Sequence, residues 1–71
     1  MPEFTRYAQM RMEQRGVTEA DVESALSHRV GPDKPGKRRG RREILGIDTR
    51  GEILKVIVNE LNEVVNVLRD R

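Results

Sequence analysis

The chain has 71 residues, 14 basic and 12 acidic side chains, a formal net charge of +2 and no cysteine. A chain this short is expected to form one small domain over residues 1–71, with a thin stability margin that self-association could increase. The composition excludes disulfides, thiolate nucleophiles and cysteine metal sites, and its longest apolar run, Val56 to Val58, is far too short to span a bilayer. We therefore expect a soluble, cytoplasmic protein with no membrane partner.

The first predicted element is a helix from Thr5 to Arg15. Phe4, Ala8 and Met12 repeat at the four-residue spacing of one helical face, which predicts that this face packs on a core. Thr5 has a hydroxyl that can accept from a backbone N–H of the first turn, so it is the expected N-cap.

A stop and a restart follow this helix. Gly16 can take the left-handed conformation that ends a helix without steric cost. Thr18 and Asp21 have the spacing of a capping box, in which each side chain accepts from the backbone N–H of the other residue. A second helix is therefore predicted over residues 19–27, and residues 5–27 should form a helical hairpin.

Residues 30–42 are predicted to be a basic loop. Two prolines and two glycines between positions 30 and 36 forbid a continuing helix. Six basic side chains fall within nine residues, with no acid among them: Lys34, Lys37, Arg38, Arg39, Arg41 and Arg42. This density favours contact with a nucleic-acid backbone, because the arginine fork matches phosphate oxygens and binding releases counterions. The alternative is a solvated, flexible loop with no ligand.

Three β-strands are predicted over residues 43–47, 53–58 and 64–68. Each segment is rich in β-branched residues and bounded by turn-forming residues, so an antiparallel sheet over residues 43–69 is expected. Alternation predicts one apolar face that the helices cover, formed by Leu45, Ile47, Leu54, Val56, Val58, Val65 and Val67. The expected fold class is α+β, with two N-terminal helices packed on a three-stranded antiparallel sheet.

The opposite face of this sheet is more apolar than a solvated surface requires. Its predicted members are Ile53, Lys55, Ile57, Val64, Asn66 and Leu68. Three explanations remain open: burial in a homodimer, cover from a loop or a chain terminus, and a platform for a ligand.

Tyr7, Arg11 and Arg15 are the candidate catalytic residues. Positions i, i+4 and i+8 share one helix side, so a phenol and two guanidiniums could line one wall of a cleft. The phenol could transfer a proton and the guanidiniums could hold a scissile phosphate, as metal-independent RNA cleavage requires. In the structural alternative, Tyr7 packs on the sheet edge, Arg11 pairs with an acid and Arg15 favourably covers the helix end.

His28 is the sole histidine and follows the second helix, where a capping or surface position is expected. Residues near it lack the spacing of a metal-ligand set, and the chain has no glycine-rich phosphate motif. No metal site and no cofactor are therefore predicted.

The helical half of the chain resembles a known family. Residues 4–18 follow the pattern FTxYAxxRMxxRGVT, and a basic loop and an apolar sheet come later. This combination resembles the family called domain of unknown function 4258, although Tyr7 occupies the position where that family usually has histidine. A phenol, with a pKa near 10, is a poor base at neutral pH.

The family is similar in layout to the RelE-type toxins of bacterial toxin-antitoxin systems, which cut messenger RNA on the ribosome. The resemblance implies an RNA-binding protein of this type, acting as a metal-independent ribonuclease, with RNA or the ribosome and an antitoxin protein as partners. A non-catalytic nucleic-acid-binding module is one alternative. Another is a protein-interaction domain that dimerises through the outer sheet face and has no RNA activity.

Overall fold

A computed structural model describes residues 2–69 as two helices packed on one face of a five-stranded sheet. The elements in chain order are β1 (Glu3–Phe4), α1 (Arg6–Arg15), α2 (Glu19–Ser27), β2 (Lys34–Pro35), β3 (Arg42–Ile47), β4 (Ile53–Val58) and β5 (Glu63–Arg69). Residues 1, 70 and 71 of the predicted domain lie outside the described residues. No helix in the described range is long and apolar enough to cross a membrane.

The sheet is mixed, with strand order β1-β5-β4-β3-β2. β1 pairs with β5 in parallel, and all other neighbouring strands are antiparallel. The structure confirms the α+β class, but the prediction of a three-stranded antiparallel sheet is wrong. The two additional edge strands have two residues each, too few to produce a hydrophobic period, and β2 contains Pro35, which has no N–H to donate to a ladder.

The predicted ends of both helices are confirmed. The Thr5 hydroxyl accepts from the Ala8 N–H at 3.1 Å, and Gly16 ends α1 with a φ of 65°. Thr18 and Asp21 form both bonds of the capping box, at 3.0 and 3.1 Å. His28 ends α2 and donates its backbone N–H to the Ser24 carbonyl at 2.8 Å, in the capping position expected for it.

One core fills the space between the helices and the sheet. Its members include Ala8, Met12, Leu54, Val56 and Val67, as the sequence predicts. On β3, however, the prediction has the wrong face, because Ile44 is buried while Leu45 and Ile47 lie half-buried on the outer face. Gly46 shares the inner face with Ile44 and lies directly under Ala25 of α2, so a residue without a side chain occupies a core position.

An irregularity between β4 and β5 changes the faces of β5. Val58 pairs with Val64 and Ile57 pairs with Asn66, which leaves Val65 as an extra residue. Val64 and Val67 are consequently both buried, three positions apart, and Val65 shares the outer face with Asn66. The predicted inward Val65 and outward Val64 are therefore both wrong.

The basic segment is a hydrogen-bonded hairpin, and the prediction of a loop throughout residues 30–42 is wrong. β2 and β3 flank a turn over residues 36–41, in which the Gly36 N–H donates to the Arg41 carbonyl at 2.8 Å. Before β2, the Val30 N–H donates to the Leu45 carbonyl at 2.8 Å, so the preceding chain also covers the edge of β3. We refer to residues 34–43 as the basic hairpin.

Two buried carboxylates connect the turns at the end of the sheet away from the tip of the basic hairpin. Asp21 accepts from the Thr49 N–H at 3.2 Å and from the Thr49 hydroxyl, besides its bond from Thr18. Burial raises the pKa of Asp21, but these hydrogen bonds outweigh it and lower the pKa to about 2. Asp48 accepts from Arg69 at 2.6 Å, and this bond and two backbone N–H donors hold its pKa below the usual value despite burial.

Candidate nucleic-acid interface

A groove of about 620 Å³ lies on the outer face of the sheet, opposite the helices. Its floor comes from β3, β4 and β5, and the turn of the basic hairpin and the first turn of α1 contribute its sides. The lining residues are Tyr7, Lys37, Arg38, Arg41, Glu43, Lys55, Ile57, Val65, Asn66 and Leu68. We call this site the basic groove.

Strand register determines how the floor is arranged. Glu43, Ile57 and Asn66 are paired neighbours across β3, β4 and β5, so they form one row. Lys55 pairs with Leu68 in the next row. Apolar side chains therefore alternate with polar ones, and a ligand on this floor would meet both a flat apolar surface and hydrogen-bonding groups.

The groove carries a net positive charge. Four of its side chains are basic and one is acidic, and the acidic Glu43 has an oxygen 3.8 Å from Nζ of Lys55. Within residues 2–69, Lys37, Arg38 and Arg41 make no salt bridge. Three positive side chains of the basic hairpin are thus available to an anionic ligand.

The structure divides the six predicted nucleic-acid-binding residues into two groups. Lys37, Arg38 and Arg41 line the basic groove, whereas Lys34, Arg39 and Arg42 do not. Lys34 and Arg39 are exposed elsewhere on the hairpin. Nη1 of Arg42 lies 3.4 Å from Oδ2 of Asp33, and Nη2 of Arg42 donates to Oδ1 of Asn62.

Tyr7 and Arg11 contact each other at the side of the groove. Tyr7 is 47 % exposed, and its Oη accepts from Nε of Arg11 at 2.9 Å. The Arg11 guanidinium also lies 5.3 Å from the centre of the Tyr7 ring, within the range of a cation–π contact. Arg11 also donates to Gln14 at 3.2 Å. Arg11 does not line the groove itself and contacts it only through its hydrogen bond to the Tyr7 phenol.

Arg15, the third candidate catalytic residue, lies against β5. Its Nη1 donates to the Val67 carbonyl at 2.5 Å and is 3.4 Å from Oδ1 of Asn66. The last turn of α1 packs on this strand, so Arg15 anchors the helix to the sheet. The structure brings Tyr7 together with Arg11 and the basic hairpin, and Arg15 reaches the groove only through Asn66.

Glu43, Lys55 and Asn66 also line the groove, although they are not among the predicted site residues. Lys55 and Asn66 were predicted on the outer face, and a lone lysine inside an apolar strand was the available signal. These residues line a groove because the turn of the basic hairpin lies next to the outer face, and the two come from distant parts of the chain.

Within residues 2–69, no group of three or more His, Asp or Glu side chains could hold a metal ion. The chain has no significant match to a protein-family model, a curated protein or a solved structure. The fold and the site by themselves define a small α+β protein with a basic groove on its open sheet face.

Proposed function

We propose that this chain is an RNA-binding protein of the RelE-like toxin type, which holds single-stranded RNA in the basic groove. The main support for the proposal is the position of Lys37, Arg38 and Arg41, which line one side of a groove with a partly apolar floor and make no salt bridge within residues 2–69. Such cations bind phosphates, and the apolar floor can contact a base. The resemblance of residues 4–18 to the family described above supports the same function.

The floor favours an unpaired nucleotide over a duplex. Ile57, Val65 and Leu68 offer apolar surface, and Tyr7 is exposed beside them. Base faces are accessible in single strands but are stacked inside a double helix, where mainly phosphates, sugars and groove edges are accessible. With one aromatic side chain at the site, we propose that the groove accepts a single base rather than a stacked series.

Removing two groove cations should weaken RNA binding. We expect the double variant K37A/R38A to bind a single-stranded RNA at least about tenfold more weakly than the unchanged protein. The slope of log K against log salt should fall by about 1.4, because each lost phosphate contact on a single strand contributes about 0.7. Fluorescence anisotropy across a salt series measures both quantities.

The basic hairpin offers a matched control. K34A/R39A also removes two positive charges from it, but neither residue lines the groove. We expect this variant to keep nearly the whole salt slope. Equal losses in the two double variants would show that net charge, not the groove, governs binding, and no RNA binding by the unchanged protein would refute the proposal.

The ribonuclease part of the proposal depends on Tyr7. Cleavage by the adjacent 2′-hydroxyl needs a proton-transferring group near the scissile phosphate, and Tyr7 Oη, held by Arg11, is such a group beside the groove cations. Y7F removes the hydroxyl and retains the ring. Cleavage should therefore fall roughly 100-fold or more, while RNA binding stays nearly constant. If the unchanged protein cleaves neither free RNA nor messenger RNA on translating ribosomes, a non-catalytic binding module remains.

The outer face is also the surface through which a homodimer or an antitoxin would cover the groove. Two copies meeting face to face would bring their groove cations together, which opposes self-association unless an acidic partner intervenes. An acidic antitoxin segment fits this surface better than a second copy does. Sedimentation with and without RNA distinguishes these assemblies, because a stable dimer that ignores RNA would favour the protein-interaction alternative.

A further inference from the structure

The side-chain amide of Asn66 is held in one orientation at the floor of the basic groove. Its Oδ1 accepts from the Val67 backbone N–H at 2.9 Å and is 3.4 Å from Nη1 of Arg15. A backbone N–H can only donate, so the amide atom facing it must be the oxygen. The two donors therefore determine which way the amide is turned.

This arrangement leaves Nδ2 of Asn66 as a free donor. Nδ2 has no hydrogen-bond partner within residues 2–69, and it is not among the buried side-chain atoms that lack a partner. Because Asn66 lines the groove, the group it offers to a ligand is an N–H donor. A free asparagine recognises adenine with its oxygen and its nitrogen together. Asn66 cannot bind adenine in this way, because its oxygen already accepts from Val67 and Arg15.

Glu43 supplies the complementary group at the other end of the same row. It lines the groove two strands away from Asn66, with Ile57 between them. An ionised carboxylate only accepts hydrogen bonds, and its pairing with Lys55 at 3.8 Å leaves acceptor capacity for a ligand. The row therefore presents an acceptor, an apolar surface and a donor.

We propose that the basic groove selects a guanine base of single-stranded RNA through Glu43 and Asn66, an inference that rests on the proposed function. Guanine has N1–H and N2–H₂ donors beside an O6 acceptor on one edge, so Glu43 accepts from the two donors and Asn66 donates to O6. Ile57 contacts the face of the ring. Adenine would place its amino group against the Asn66 donor and a ring nitrogen acceptor against the carboxylate, which leaves both protein groups unpaired.

The test uses four short RNA strands that differ only in the central base, within a run of uridines. Their riboses carry 2′-O-methyl groups, which prevent cleavage and limit the measurement to binding. At one fixed salt concentration, we expect the unchanged protein to bind the guanine strand about tenfold more tightly than the adenine strand, in the range of discrimination given by paired base contacts. Fluorescence anisotropy gives the ratio of the two affinities.

Two variants assign this preference to its residues. N66D keeps an oxygen toward the Val67 N–H but replaces the free donor with an acceptor, and E43Q places a donor where the carboxylate accepts. Each should lower the guanine-to-adenine ratio to about one or less. The strands carry equal charge, so the altered net charge of a variant cancels in the ratio, and E23Q on the exposed surface of α2 should leave the ratio unchanged.

The outcomes separate this inference from the proposed function. Equal affinity of the unchanged protein for all four strands would overturn guanine selection and leave RNA binding in place. Failure to bind any strand would overturn both proposals. A wild-type ratio in both N66D and E43Q would overturn the assignment to these two residues, because a role limited to folding or net charge does not change the ratio.

Discussion

Replacing Gly46 with alanine is expected to lower the free energy of unfolding by about 3 kcal/mol or more. A methyl group on Gly46 would overlap the carbonyl oxygen of Ala25 and lie 2.5 Å from its carbonyl carbon. Both atoms are backbone atoms of α2, so no side-chain rotation can relieve the overlap, and the helix must move away from β3. For a chain of this length, with a total stability of about 4–10 kcal/mol, this loss is a large fraction.

Gly16 provides the control for this substitution. An added methyl group there meets no atom within 4 Å, but the residue has a φ of 65° that disfavours any side chain. G16A should therefore cost only about 1–2 kcal/mol, the price of the left-handed conformation. Urea denaturation followed by circular dichroism compares the two variants, and equal stability would contradict the close packing of α2 on β3.

The second large effect is expected at Asp21. D21N retains the shape of the side chain but replaces one acceptor oxygen with an amide donor, which must face N–H or O–H groups of Thr18 or Thr49. Asp21 is only 3 % exposed, so water cannot substitute for the lost bonds. We expect the free energy of unfolding at pH 7 to fall by about 2–3 kcal/mol.

The pH dependence identifies the cause of this loss. The pKa of Asp21 is about 2 in the folded chain and 3.8 as the reference value, so its stabilisation is complete above about pH 5 and disappears as the pH falls toward 2. The difference corresponds to about 2 kcal/mol. The stabilities of D21N and the unchanged protein should therefore converge in acid, whereas E23Q, which removes an exposed charge from the same helix, should follow the unchanged protein at every pH.

The open face of the sheet results from how the small core is built. Both helices pack on one face of the sheet, and no helix or strand within residues 2–69 packs across the opposite face. The turn of the basic hairpin borders this uncovered face, so its charges form one side of the groove. Gly46 and Asp21 lie on the covered side of the sheet, so G46A and D21N should change stability without altering the groove on the open face.

Local signals in the sequence determined the helices and the three long strands. The capping box of Thr18 and Asp21 and the left-handed Gly16 involve residues within a few positions of each other, so their physics can be read from adjacent letters. The strands were predicted correctly to within about one residue at each end, because β-branched runs between turn residues are also a local property.

Contacts between distant segments set which face each strand buries and which charged residues meet. Gly46 occupies a core position because α2 contacts the backbone of β3 there, and the extra residue Val65 reverses the alternation of β5. Both depend on the register of distant segments, which a periodic pattern does not encode. The groove arises in the same way: Tyr7, Arg41 and Lys55 come from three separate elements, and only strand pairing and helix packing bring them to one site.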